Sequence, residues 1–240
     1  MPSRAKNRKP FRDVAKRVKR GHKAYVVPTP RNDAGWVAGQ SFLERNHLLL
    51  LSVQVGIKRL CDQAVCIDLD NETLVDRLAD LPKRGGKTVR RYTVDSAYER
   101  DDGQQGVCES KPRAFLEQHA EKHALAEKIL NKYGQSFTTL TEEQFTPVFI
   151  SNIENLLKAS SEGQRRHATV AIEKLHRALA QQERWLTLEL KQSAGLSSAD
   201  IFFGLAHGVL RADLRQSLFS SSSCVEAAHG SLDHLMFVEL

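Results

Sequence analysis

Residues 83–94, KRGGKTVRRYTV, constrain the fold most strongly, because they combine strand-forming residues with many positive charges. A strand buried in a core would not carry such cations, and a disordered tail would not carry the β-branched and aromatic residues. The cations are Lys83, Arg84, Lys87, Arg90 and Arg91. The pattern predicts an exposed basic β-ribbon over residues 87–94.

The chemistry of this ribbon indicates an anionic partner. Alternate residues of a strand share a face. One face then holds Lys87, Val89, Arg91 and Thr93, and the other holds Thr88, Arg90, Tyr92 and Val94. A two-stranded ribbon fits the major groove of B-DNA, where arginine pairs with guanine. We expect contacts to bases or phosphates from Lys87, Arg90, Arg91 and Thr93, and contacts to the phosphate backbone from Lys83 and Arg84. The alternatives are a solvated edge strand that its cations protect from aggregation, and binding of another anion.

Positive charge is concentrated at the N-terminus. The 240-residue chain has a net charge of +6 and a pI of about 9.2, and its first 25 residues contain ten Lys or Arg and one Asp. That segment carries +9, and the remaining residues carry −3. Such an arm attracts anionic partners, most commonly nucleic acid and next a membrane surface. We expect phosphate contacts from Lys16, Arg17, Lys19 and Arg20, and a solubilising tail is the alternative.

Cysteine usage and apolar content predict a cytoplasmic protein. The four cysteines form no C-x-x-C pair and no pattern typical of a secreted disulfide framework. No apolar stretch is long enough to span a bilayer, and no apolar segment follows the basic N-terminus as in a secretory signal. An organelle transit peptide is the alternative interpretation of that N-terminus.

Hydrophobic periodicity predicts a mainly α protein with a small β component, an α+β fold. Apolar residues at helical spacing predict helices over 41–62, 71–81, 110–134, 146–158, 163–192 and 197–219, and residues 63–70 alternate as in a strand. Thr146 before Pro147, and Ser197 with Asp200, predict two helix N-termini. We expect a flexible basic arm and loop over 1–35, a ribbon-containing DNA-binding region over 36–135, and a helical region for packing or oligomerisation over 136–240.

A strand with polar or basic residues followed by two helices resembles the ribbon-helix-helix class of bacterial regulators. QAVCIDLDNETLVDRLADL, residues 63–81, is similar to that family's strand and first helix. In a second register, KTVRRYTVD is the ribbon and the helices from Ser110 and Thr146 follow it. The resemblance implies a homodimer that inserts a paired ribbon into the DNA major groove, as regulators of plasmids and integrative elements do.

Catalytic and metal-binding patterns in the sequence are sparse. His119 and His123 have metal-ligand spacing on a helix, with Cys108 as a possible third ligand, and Cys61 and Cys66 form a second, weaker pair. Asp68 and Asp70 resemble a magnesium-binding D-x-D pair, and Asp101 with Asp102 is another acidic pair. The ordinary interpretation of each is structural, such as a helix cap or a core residue. The chain has no P-loop, G-x-G-x-x-G, G-x-S-x-G or H-E-x-x-H motif.

These patterns favour a sequence-specific DNA-binding transcriptional regulator that is dimeric and not an enzyme. The prediction includes no catalytic residue, metal, cofactor, small-molecule substrate or membrane contact. One alternative is a non-catalytic scaffold or accessory subunit of a nucleic-acid complex. The other is a metal-dependent nuclease, in which Asp68 and Asp70 would lie beside phosphate-binding cations.

Overall fold

The structure is a computed structural model that describes residues 23–75, 83–84, 87–88, 90–160 and 165–240. The predicted arm contacts Lys16, Arg17, Lys19 and Arg20 lie outside the described residues. The chain divides into two compact units. The first comprises residues up to Ser52, Gly56–Gln144 and Leu240, and the second comprises Val53–Val55 and Phe145–Glu239.

In its described residues, the first unit has short strands and two α-helices. Its elements up to the basic segment are β1 (Tyr25–Pro28), β2 (Trp36–Gly39), α1 (Phe42–Val53), β3 (Ile57–Asp62), β4 (Cys66–Asp68), β5 (Thr73–Val75), β6 (Lys83–Arg84) and β7 (Lys87–Thr88). The chain continues with β8 (Arg91–Thr93), β9 (Ser96–Arg100), β10 (Gln105–Ser110), α2 (Leu116–Lys132) and β11 (Gln135–Leu140).

A four-stranded mixed sheet is the centre of this unit. Its strand order is β11-β10-β9-β3, with β10 antiparallel to β9 and parallel to β11. Helix α2 connects β10 to β11, because parallel neighbours require a crossover connection. Ala126, Ile129 and Leu130 of α2 are fully buried in a core that also contains Val107 of β10. A three-stranded sheet, β5-β4-β8, adds Ile67 to the same core.

The second unit contains most of the remaining helices. Its elements are α3 (Pro147–Ala159), α4 (Arg165–Leu179), β12 (Arg184–Leu186), α5 (Thr187–Ser193), α6 (Ser198–Ala206), β13 (Leu210–Arg211) and β14 (Cys224–Ala227). Both predicted N-termini are confirmed: the Thr146 side chain accepts a hydrogen bond from the Phe149 amide, and Ser197 with Asp200 forms a capping box. Helices α3 and α4 pack against α6, and the strands form a sheet in the order β12-β14-β13.

The predicted fold class, mainly α with a small ribbon-helix-helix-like β component, is wrong, since the chain is an α/β protein with several sheets. The predicted helix over 41–62 ends at Val53, and Ile57 and Leu60, which continue its apolar spacing, are buried strand residues of β3. The predicted helix over 163–192 is divided into α4, β12 and α5. In both places the apolar residues kept spacings of three and four beyond the end of the helix, so their periodicity did not reveal the boundary.

Within residues 63–75, the described part of the segment similar to a ribbon-helix-helix motif, the structure has strands. Thr73–Val75, expected in the first helix, is β5 and pairs antiparallel with β4. The predicted ribbon over 87–94 is divided between β7, which pairs with β6, and β8, which pairs with β4. Among the described residues, no helix is both long and apolar enough to cross a membrane.

Candidate active site

Two carboxylates and a lysine meet where β9 and β10 pair. Cys108 lies opposite Ser96 in the antiparallel register, so the next positions, Asp95 and Glu109, lie side by side on one face. The Ser110 amide donates to Asp95 Oδ2 at 2.8 Å. Lys111, two residues after Glu109 and therefore on the same side, lies with Nζ 3.3 Å from Glu109 Oε1.

The two carboxylates destabilise each other's charge. Burial, followed by the nearby charges of Glu109 and Glu44, raises the pKa of Asp95 well above its usual range, although the Ser110 amide and Lys111 oppose the shift. Burial also raises the pKa of Glu109, a side chain of which only 4% is exposed, and Lys111 is the main opposing influence. A positive ion between these carboxylates would remove the repulsion.

Glu44 reaches this site from the first turn of α1. The Ser41 hydroxyl accepts a hydrogen bond from the Glu44 amide at 3.1 Å, and Glu44 Oε2 accepts one from the Gln40 amide at 2.7 Å. This capping arrangement fixes the carboxylate at the start of the helix. Gly39 permits the close approach, because a Cβ there would lie 2.8 Å from the Glu44 Cβ. Glu44 is therefore a third acidic residue beside the pair.

A buried histidine connects α1 to the Glu109–Lys111 segment. His47 Nδ1 lies 2.5 Å from the Ser110 hydroxyl, and only 1% of the residue is exposed. Burial lowers the pKa of His47 to about 3, so its imidazole is neutral at physiological pH. This contact holds Ser110 between the two charged residues of the site.

An aromatic and cationic group lies on the α2 side of the site. The charge of Glu109, after burial, raises the pKa of Tyr92, and Lys122 Nζ lies 4.5 Å from the Tyr92 ring centroid. The His123 ring lies 5.9 Å from Tyr92 and 5.8 Å from the His119 ring. Burial and then the charge of Lys111 lower the pKa of both histidines, that of His123 to about 4. Both are therefore neutral near pH 7.

Buried polar atoms without hydrogen-bond partners gather around this site. Among the described residues they are His47 Nε2, Gln63 Oε1, Ser96 Oγ and His123 Nε2, while Tyr92 Oη and Glu109 Oε2 lack a well-aligned partner but interact with each other. Each of these atoms belongs to a residue of the site or to one that contacts or adjoins a residue of the site. Gln63 is included because its amide donates to the Asp95 carbonyl at 2.9 Å. Buried polar groups in folded proteins are normally satisfied by protein, water or ions. Their concentration here indicates a place built for polar or ionic occupants.

The residues of the predicted ribbon have varied surroundings. Arg90 donates from its backbone amide to Asp70 Oδ2 at 2.9 Å and from Nε to Asp70 Oδ1 at 2.8 Å. Arg91 is exposed, and the Thr93 hydroxyl lies 3.6 Å from Cys66 Sγ. In the β6–β7 hairpin, Lys83 pairs with Thr88 and Arg84 pairs with Lys87. The DNA contacts expected of these residues stay a prediction.

The acidic pairs that the sequence suggested have structural partners. Asp68 is fully buried and accepts hydrogen bonds from the backbone amides of Asp70 and Asn71, so it stabilises the turn after β4. Asp70 forms the ion pair with Arg90 at 2.8 Å. Asp102 accepts from the Gln104 amide at 3.0 Å in the turn between β9 and β10. These contacts favour the structural interpretation of both pairs.

The residues with zinc-ligand spacing, which the prediction did not adopt as a metal site, do not converge on one site. Cys108 is fully buried on the face of β10 opposite to Glu109, and burial raises the pKa of its thiol. Cys61 and Cys66 belong to different sheets. Within the described part of the chain, no three His, Cys, Asp or Glu residues form a group that could by itself hold a metal ion.

The site was not predicted from the sequence, because the segment that contains Glu109 has the composition of a loop. The segment 99–110, ERDDGQQGVCES, is rich in acids, Gly and Gln, and Ser110 suggested the start of a helix. The available signal was an aspartate followed, fourteen residues later, by Glu-x-Lys at the end of the apolar pair Val107-Cys108. Asp95, Glu109 and Lys111 come together only through the pairing of β9 with β10, which the sequence does not show.

In the second unit, α5 and α6 are joined by a short turn that contains Gly195. Residues 201–205 of α6 are buried, and its partly exposed first turn carries the acid Asp200. A groove-reading helix needs exposed donors or cations at that end.

No protein-family model matches the chain, and no curated protein matches it.

Proposed function

We propose that this protein is a divalent-metal-dependent nuclease that cleaves DNA at the site of Asp95, Glu109 and Lys111. The observation that carries the proposal is the Asp95–Glu109 pair on one face of the sheet beside Lys111, where the charge of Glu109 adds to the rise in the pKa of Asp95. Such an arrangement destabilises the empty folded protein, so it favours a function that requires it. The proposal replaces a non-catalytic regulator as the leading hypothesis and keeps nucleic acid as the partner.

The donor set fits a hard divalent cation. Asp95 and Glu109 would hold the ion, with the charge of Glu44 close to both. Magnesium is typically bound through one or two carboxylates together with water and substrate phosphates, which suits a site without three convergent protein ligands. Carboxylate oxygens favour Mg²⁺ or Mn²⁺ over the softer metals. When bound, such an ion supplies Lewis-acid activation of the phosphate and a more acidic water.

The other residues of the site would bind and orient the substrate. Lys111 lies 3.3 Å from Glu109 and partly exposes its side chain, so it can place a positive charge beside a phosphate oxygen where negative charge develops. His47 holds the backbone of the Glu109–Lys111 segment in register through Ser110. Lys122, whose Nζ lies 4.5 Å from the Tyr92 ring centroid, adds a second cation on the α2 side. These groups favour a phosphodiester substrate over a neutral one.

The choice of DNA rests on the basic residues that precede Asp95. Arg91 is exposed four residues before it, and the β6–β7 hairpin carries Lys83, Arg84 and Lys87. Cations on a ribbon support binding to a duplex backbone, and the basic arm supports it further. The dimer implied by the ribbon-helix-helix resemblance stays a prediction. So do the regulator and the accessory-subunit alternatives.

Cleavage of supercoiled plasmid tests this proposal. We expect the full chain to nick or linearise the plasmid with Mg²⁺ or Mn²⁺ and to leave it intact with EDTA. Asp95→Asn, Glu109→Gln and Lys111→Met should each lower the rate about 10²–10³-fold. Glu99→Gln is the matched control, because Glu99 is a half-buried acid of the same strand that pairs with Lys58. Sequence-specific binding without cleavage in either metal would favour the regulator, and equal affinity for RNA and DNA would favour the accessory subunit.

A further inference from the structure

Gln63 has an unusual backbone conformation beside the carboxylate pair. Its φ is 42°, in the left-handed region that L-residues other than Asn and Asp rarely adopt. Two other non-glycine residues among those described have positive φ, Glu72 and His229, and their side chains are 37% and 72% exposed. Gln63 is only 5% exposed. Among these three residues with positive φ, Gln63 is therefore the buried one.

The position of Gln63 is fixed by Asp95. The Gln63 amide donates to the Asp95 carbonyl at 2.9 Å, directly after the ladder in which Asp62 pairs with Ser96. Backbone strain at buried positions persists where the surrounding structure imposes it, and such positions cluster at functional sites. The strained residue is therefore held next to a proposed metal-binding carboxylate.

The side chain of Gln63 has an unsatisfied oxygen. Its Oε1 is buried and accepts no hydrogen bond from the residues that the structure describes. A long polar side chain in a core normally finds a partner, or is replaced by an apolar one. Gln63 thus combines a strained backbone, a contact with Asp95 and a buried acceptor without a donor.

We propose that Gln63 supplies a neutral oxygen to the divalent cation held by Asp95 and Glu109, directly or through a metal-bound water. This inference rests on the proposed nuclease function. Glutamine carbonyl oxygens belong to the normal ligands of hard cations. A neutral donor also completes the ligand set without adding a further negative charge beside the paired acids Asp95 and Glu109.

Manganese binding to the full-length protein, followed by electron paramagnetic resonance, separates this role from a packing role. Gln63→Met keeps the length of the side chain and removes the oxygen, and Gln63→Glu keeps an oxygen at the same reach. We expect Gln63→Met to weaken Mn²⁺ binding about 10–100-fold. Gln63→Glu should stay within about threefold of wild type, since it retains a ligand of the kind that hard cations bind. His229→Met is the control, because it places the same residue at a left-handed, exposed position of the second unit.

Gln63→Gly guards against a variant that simply misfolds. Glycine accommodates a φ of 42° and also lacks the oxygen, so it should fold at least as well as wild type and still bind Mn²⁺ weakly. Wild-type affinity in Gln63→Met or Gln63→Gly, or an equal loss in Gln63→Met and Gln63→Glu, would overturn the inference. If wild type binds no Mn²⁺ and cleaves no DNA, the proposed function itself fails, which is a distinct result.

Discussion

Replacing Asp95 by Asn should make the metal-free protein more stable. Folding raises the pKa of Asp95 above its usual range, so the folded state holds a proton more readily than the unfolded state. Stability must then fall as the pH rises from the usual carboxylate range through the folded pKa. At pH 7 the raised pKa of Asp95 therefore lowers the free energy of unfolding. Asn removes the charge and keeps an oxygen that can accept from the Ser110 amide.

The magnitude follows from the spacing of the two carboxylates. Side chains at opposing positions of antiparallel strands have Cβ atoms about 5 Å apart. Two like charges at about that distance repel by about 3 kcal/mol in a medium with an effective dielectric constant of about 20. Lys111, whose Nζ lies 3.3 Å from Glu109, offsets part of this repulsion. We therefore expect Asp95→Asn to raise the free energy of unfolding by about 1–2 kcal/mol, and the melting temperature by about 2–8 °C.

Scanning calorimetry in EDTA measures this gain. Glu99→Gln, the control, loses the ion pair with Lys58 and should be unchanged or slightly less stable. Adding Mn²⁺ should reverse the order, because a metal present at about 100 times its Kd stabilises wild type by about 2.7 kcal/mol and leaves the variant unaffected. A metal-free Asp95→Asn variant more than about 1 kcal/mol less stable than wild type would refute the reasoning, since the carboxylate would then be a net stabilising group.

Three further predictions concern other parts of the first unit. Gly106→Ala should destabilise the first unit by about 1–3 kcal/mol, because the new Cβ would lie 2.3 Å from both Ser136 Oγ and Tyr98 Oη. Urea unfolding measures the loss, and unchanged stability would contradict this packing. His47→Gln should flatten the pH dependence of stability, because the pKa of His47 is about 3 in the folded state against a usual 6.5. Wild type should therefore lose about 1.4 kcal/mol of stability per pH unit as the pH falls from 6.5 towards 3. An equal slope in the variant would exclude His47 as the source of this pH dependence. Arg91→Ala should weaken DNA binding and lower the salt dependence of the affinity by about one counterion in a fluorescence-anisotropy titration, whereas an unchanged slope would remove Arg91 from the interface.

Local signals predicted local structure well. Thr146 with Pro147 and Ser197 with Asp200 begin helices as expected, because a cap depends on side chains and amides within one turn. The helix expected from Ser110 exists, but its regular part starts at Leu116, since Ser110 is the last residue of β10. The predicted helix boundaries were wrong where residues assigned to a helix belong to a strand.

Pairing between distant strands could not be predicted from local patterns. Strand β9 neighbours β3 and β10, and β10 neighbours β11 across the whole of α2. The residues of β10 alternate poorly in hydrophobicity, because it is an inner strand of the sheet with both faces covered. The site depends on that pairing, since Asp95 and Glu109 are fourteen residues apart in sequence and meet only across the ladder.

The acidic residues that the sequence offered were the wrong ones for an equally physical reason. Asp68 and Asp70 look like a ligand pair, but the amides of the following turn and the Arg90 side chain satisfy them. Asp95 ended the expected ribbon and Glu109 lay in an expected loop, and they are the two acids whose pKa values folding raises. The difference between the two pairs is whether each carboxylate has stabilising partners in the folded state, and the sequence alone does not show this.

Anomalous diffraction from crystals of the full chain soaked in MnCl₂ tests the central claim most directly. The account predicts a manganese peak within ligand distance of both Asp95 and Glu109, and its loss in crystals of Glu109→Gln. A well-ordered site without such a peak, or a peak at other carboxylates that persists in Glu109→Gln, would contradict it.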